Sequence, residues 1–163
     1  MKQRLFVILT CLVFLAVQGL QAQVRFDKKK LYNVCSVKYP GKAWSYSGSA
    51  PNVKLVAVSE SDKQQQWSIT DLSGSFRLIN PFENRAVRAA DNALAQVAEV
   101  NGSDEMQLWL IKPVGEYVQL IPSNKAQWVA SCREDGTIAL VDVAKAGTSK
   151  ETLFRITASK VAA

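Results

Sequence analysis

One triplet recurs at a nearly constant interval through this chain, and that recurrence limits the available folds more than any other feature. Gln65-Gln66-Trp67 returns as Gln107-Leu108-Trp109 and, in weaker form, as Thr152-Leu153-Phe154, so the aromatic positions stand 42 and 45 residues apart. Other positions keep the same phase. Tyr32-Asn33-Val34 is echoed by Phe76-Arg77-Leu78 and Val118-Gln119-Leu120, and Ala43-Trp44 by Ala86-Val87 and Gln127-Trp128. Val58, Val100 and Val143 lie 42 and 43 apart. Self-similarity at this period marks a fold assembled from one supersecondary unit, used here three times.

Each unit reads as strands. Phe76-Arg77-Leu78-Ile79 follows a Ser73-Gly74-Ser75 turn, and Tyr117 to Ile121 follows Val114-Gly115-Glu116. A second short strand carries Trp44, Val87 or Trp128. A turn on Pro51-Asn52, Asp91-Asn92 or Asp135-Gly136 comes next, the last being a strong hairpin signal. The alternating runs Val53 to Val58, Leu94 to Val100 and Ile138 to Val143 are the third strands. The fourth carries the Trp or Phe of the triplet. About twelve strands follow. A propeller needs about four blades to close, so three units exclude it. A β-trefoil, with six strands in a short barrel and three hairpins capping one end, accommodates three. On that reading the triplet tryptophans are core residues.

The start of the chain stands apart. Lys2 and Arg4 precede the apolar run Leu5 to Val17, and Gly19-Leu20-Gln21-Ala22 offers a small-residue cleavage zone. This is the pattern of a secretory signal peptide, too short to span a bilayer as a stable anchor. Residues 1–22 are expected to be signal and residues 23–163 a single trefoil domain, exported to the medium, the periplasm or the cell surface. No membrane span is expected in the mature chain. That chain keeps 18 Lys or Arg against 14 Asp or Glu, a mild surplus that is no nucleic-acid footprint. It also keeps Cys35 and Cys132, which either pair or stay as free thiols.

Composition removes much catalytic chemistry. The absence of histidine excludes Ser-His-Asp and Cys-His catalysis and His-ligated zinc. No Gly-rich phosphate loop, CxxC pair or calcium-loop spacing occurs, so no metal or cofactor is expected. Glu60/Asp62 and Asp104/Glu105 fall in equivalent polar loops before the triplet, which the repeat explains as turns. Lys28-Lys29-Lys30 reads as a solvated tail, and Asn101-Gly102-Ser103 has the form of a glycosylation sequon on a turn.

At the triplet and its phased partners the chain resembles the ricin-B-type β-trefoil family, whose repeat ends in QxW. The resemblance covers about Leu31 to Thr157 and implies a lectin-like fold. That family's sugar pocket uses an aspartate just after the second landmark, where this chain has Ser45, Arg88 and Val129. It uses an aromatic on the third strand, where Val56, Ala98 and Val141 stand, and an asparagine before the Gln, where Gln64, Met106 and Glu151 stand. The family's frequent cysteine pair within each repeat is also missing. The scaffold matches in three copies and the pocket in none. The first unit keeps the most, with Ser45, Gln64 and the nearby aromatic Tyr46; the second offers Arg88 with Asp91 and Asn92. The expectation is a non-catalytic module that binds a glycan or polysaccharide through a degenerate pocket. The alternative is a protein partner, with the chain acting as a secreted inhibitor or adaptor.

Overall fold

The computed structural model describes residues 24–48 and 50–162. The expected signal segment lies outside the described residues.

Among the described residues twelve strands form in chain order. They are β1 (Lys30–Ser36), β2 (Lys42–Ser47), β3 (Ala50–Ala57), β4 (Ser68–Leu72), β5 (Ser75–Asn80) and β6 (Arg85–Ala89). The chain continues through β7 (Ala95–Glu99), β8 (Trp109–Val114), β9 (Tyr117–Pro122), β10 (Trp128–Cys132), β11 (Ile138–Asp142) and β12 (Phe154–Ala162). A single helical turn, α1 (Val143–Ala146), follows β11 and is capped by the Asp142 carboxylate.

Six strands close a barrel: β1 pairs with β12, β12 with β9, β9 with β8, β8 with β5 and β5 with β4. The Tyr32–Trp67 bridge at the start of β4 completes the ring. The other six form the hairpins β2–β3, β6–β7 and β10–β11. These meet one another through the bridging residue pairs Asn52–Gln96, Leu94–Ala139 and Lys54–Thr137, one such pair for each two hairpins. The threefold repetition of the sequence is thus a threefold repetition in space.

The triplet splits its work between core and loop. Trp67, Trp109 and Phe154 are fully buried. The Trp67 indole nitrogen donates to the Trp44 carbonyl at 3.3 Å, and that of Trp109 to the Val87 carbonyl at 2.9 Å. The glutamine staples the preceding loop. Gln65 accepts from the Ser59 amide at 3.0 Å and donates to the Ala57 carbonyl at 2.9 Å. Gln107 repeats this with Asn101 at 3.1 Å and Glu99 at 2.7 Å. In the third unit Thr152 replaces the glutamine, and Gln119 bridges Thr152 and the Gly147 carbonyl instead.

The third unit corrects two sequence alignments. Trp44 pairs across its hairpin with Leu55, and Val87 with Val97; the same register place in the third hairpin belongs to Ala130 opposite Leu140. The third echo of Ala43-Trp44 is therefore Val129-Ala130, not Gln127-Trp128, and the partner of Ser45 and Arg88 is Ser131, not Val129. Packing explains the switch. Trp44 reaches across the axis to Phe154 at 5.1 Å and Trp109 at 6.4 Å between ring centroids. A close-packed interior cannot hold three indoles at that layer, so Val and Ala fill the other two places.

The turns differ too. Pro51 and Asn52 lie within β3 rather than in the turn before it. The Asp135-Gly136 loop puts only Gly136 at positive φ (82°), with the Gly136 amide donating to the Arg133 carbonyl at 3.0 Å. This is an ordinary turn followed by a left-handed residue, not a two-residue hairpin turn. The second unit builds the same loop with Ala93 at φ 58°.

Both described cysteines are free. Ser36, next to Cys35, faces inward and accepts the Cys132 thiol at 3.4 Å, so Cys35 points to the opposite face of β1. Pairing would require a flipped register.

Candidate functional site

The first hairpin and the polar loop after it enclose a cavity of about 460 Å³. Strand pairing sets Ser45 opposite Lys54, so both side chains belong to one face of the hairpin. The 3₁₀ turn Lys63–Gln65 supplies the other wall. Its cap residue Asp62 accepts from the Gln64 amide at 2.9 Å and from the Gln65 side chain at 2.9 Å. Ser45, Tyr46, Lys54, Val56, Asp62 and Gln64 are among the residues that line the space. Three of the residues singled out in the sequence, Ser45, Tyr46 and Gln64, are therefore brought together. Lys54 and Asp62 were not singled out as site residues. Lys54 lies nine residues along the chain from Ser45, and only the hairpin register joins them.

Tyr46, the aromatic that the sequence offered as a ring for a sugar face to lie on, does not present that face. It is 3% exposed and tilts against Trp67 at 6.0 Å. Its face belongs to the core. Its hydroxyl is covered and, among the described residues, meets no partner at full hydrogen-bond geometry, with the Glu83 carboxylate as its polar neighbour. Burial first, and then the neighbouring Glu83 carboxylate, push the phenol well above its ordinary value, so it stays protonated.

The second unit fills the equivalent space with its own side chains. Arg88 holds the place of Ser45 and lays its guanidinium against the Met106 sulfur at 2.7 Å and the Asp104 carboxylate at 3.7 Å. Asp104 caps the turn Glu105–Gln107 as Asp62 caps the first. Asp91 and Asn92 are not brought to Arg88: both are exposed in the β6–β7 loop, and Asp91 pairs with Lys125 at 3.1 Å. In the third unit Glu151, in the place of Gln64, is drawn off to Lys38 at 2.9 Å. That hydrogen-bonded pair raises the lysine and lowers the carboxyl from their ordinary values.

Asp62 and Asp104 cap 3₁₀ turns, which makes them structural as well as solvated. Among the described residues no group of three or more His, Cys, Asp or Glu is placed to hold a metal, and no helix is long and apolar enough to cross a membrane.

Shape comparison places the architecture. A designed threefold-symmetric protein, ThreeFoil, superposes with a TM-score of 0.66 at 18% identity, covering 78% of this chain and 97% of that one. The fold is a β-trefoil. The Polyporus squamosus lectin, solved with a Neu5Acα2-6Galβ1-4GlcNAc epitope, matches at TM-score 0.68 and 12% identity, over 82% of this chain and 50% of the lectin. The GlcNAcα1-4Gal-releasing endo-β-galactosidase of Clostridium perfringens matches at 0.71 and 14%, over 79% of this chain. The trefoil spans only 32% of that enzyme, and half of the lectin. No family model matches the sequence, and no curated protein matches it.

Proposed function

We propose that this protein is an exported, non-catalytic binding module of lectin type that holds a glycan or polysaccharide in the cavity of its first unit. The observation that carries the reading is the contrast between units. The first leaves about 460 Å³ open beside Ser45, Lys54 and Gln64, within the range of small-molecule sites. The second fills the same place with Arg88. The lining offers a hydroxyl, an ammonium and an amide, which suit sugar hydroxyls, over the apolar edge of Val56. Asp62 is engaged in capping, so we assign it no acid–base role. With the family's aspartate replaced by Ser45, a single sugar binds at about millimolar affinity, near 4 kcal/mol.

A glycan array at high protein concentration tests the reading, with Ser45→Arg as the control. That variant copies the second unit and is expected to close the cavity without unfolding the chain. Glycans bound by the wild type and lost by Ser45→Arg support the assignment. An array that stays blank refutes it and favours the protein-partner reading, in which the same face docks on a polypeptide. Export is tested separately: the secreted protein should begin near Gln23, and an intact mass that retains residues 1–22 would contradict it.

A further inference from the structure

Next to the first cavity lies a smaller hollow of about 210 Å³, lined by Tyr46, Gly48, Pro51, Glu83, Arg85 and Val97. Tyr46 lines both spaces. Gln64 belongs to the first and Gly48 to the second, and the Gln64 amide nitrogen lies 3.8 Å from where a Cβ on Gly48 would stand. The two hollows are thus neighbours across one wall. By volume the smaller falls below the range of independent ligand sites, so it serves as an extension.

Glu83 and Arg85 come from the second unit. Asn80 ties them to the first. This fully buried side chain accepts from the Phe82 and Glu83 amides, each at 3.1 Å. It donates to the Lys63 carbonyl at 2.6 Å and the Gln66 carbonyl at 3.0 Å. Lys63 opens and Gln66 caps the 3₁₀ turn that walls the first cavity. Asn80 therefore uses its whole hydrogen-bonding capacity to fix the Glu83 loop against the first unit's site. Tyr46, whose buried hydroxyl neighbours the Glu83 carboxylate, lies between the two hollows. Each hollow carries one charge of each sign: Lys54 with Asp62, and Glu83 with Arg85.

We infer that the two hollows form one site across two units, taking an uncharged saccharide of at least two sugar residues, with Glu83 supplying the carboxylate acceptor missing at Ser45. The inference rests on the lectin reading above. A carboxylate accepts from two vicinal hydroxyls at once, and such charge-assisted bonds are about twice as strong as neutral ones. Arg85 donates to ring or hydroxyl oxygens. The balanced charges give an acidic sugar no net attraction, and a carboxylate seated in the second hollow meets Glu83.

Calorimetric titration tests this with galacto- and arabino-oligosaccharides of one to four residues, and with oligogalacturonides of the same lengths. Affinity for the neutral series should rise about tenfold from one residue to two or three and then level off. Glu83→Gln should flatten that dependence, and so should Asn80→Ser, which releases the loop without touching ligand. Ser45→Arg should abolish binding at every length. Neutral sugars that bind equally at all lengths, an unchanged length dependence in Glu83→Gln, or tighter binding of the acidic series would each overturn the inference and leave the first cavity's role standing. No binding of any probe would overturn both.

Discussion

Gln65 and Gln66 are adjacent, of one residue type and equally buried at 1% exposure, yet replacing each by leucine should shift stability in opposite directions. Gln66 stands at the middle place of the triplet, where the other units have Leu108 and Leu153. Both of its amide atoms are buried without a hydrogen-bond partner among the described residues. An unmet buried polar group costs about 1–3 kcal/mol, and a leucine of similar size removes that cost at a site whose equivalents already accept one. Gln66→Leu should therefore stabilise the fold by about 1–3 kcal/mol, which for a chain of this size raises Tm by about 2–4 °C per kcal/mol. Gln65 is the reverse case. It accepts from Ser59 and donates to Ala57 and Asp62, at 2.9–3.0 Å. Gln65→Leu strands those groups and should cost about 2–4 kcal/mol. Urea denaturation of both variants beside wild type, fitted with a common m-value, measures the two shifts. Destabilisation by Gln66→Leu would refute the reasoning, because it would mean the amide is hydrogen-bonded, for instance by an ordered water.

Three further outcomes follow from the core and turns. Trp67→Ala removes a fully buried ring and its bond to Trp44, and should cost about 3–5 kcal/mol in the same assay. Ala93→Gly should gain about 0.5–1 kcal/mol, because Ala93 sits at φ 58° where Gly136 serves the third unit; Gly136→Ala should lose more, since its Cβ would stand 3.2 Å from the Leu55 carbonyl oxygen. Cys132 should resist a thiol reagent in the native protein while the half-buried Cys35 reacts, and both should react once unfolded without reductant. Burial pushes the Cys132 thiol from 9.0 to about 11, so above pH 9 the unfolded chain loses a proton that the folded chain keeps. Its contribution to stability then falls by up to about 1.4 kcal/mol per pH unit until pH 11. Cys132→Ala should show a shallower alkaline decline than wild type.

The threefold plan was legible because the heaviest side chains repeat. Trp67, Trp109 and Phe154 mark one layer in all three units. The same search for heavy residues misled at the next layer, where Trp128 stands two places from the true core position and Ala130 is silent in the sequence. Close packing against Trp44 selected the small residue, and nothing local announces that. Of the first cavity's lining, Ser45, Tyr46 and Gln64 were legible because they flank repeat landmarks, although the burial of the Tyr46 ring was not readable from its neighbours. Glu83 and Arg85, which line the neighbouring hollow, were not legible because they lie in the second unit and Asn80 holds their loop against the first. Arg88 was found, but its partner is Asp104 from the capping turn rather than Asp91 or Asn92 from the nearer loop. Charge pairing chose the carboxylate within reach across space over those closest in sequence.

The most direct test of the account is an amide-resolved NMR titration of the mature chain with a neutral oligosaccharide selected by the array. Shifts should concentrate at Ser45, Lys54, Gln64 and the Glu83 loop, and the positions around Arg88, Asp91 and Asn92 should stay still. Shifts centred on the second unit, or none at saturating sugar, would contradict the assignment of the binding site to the first.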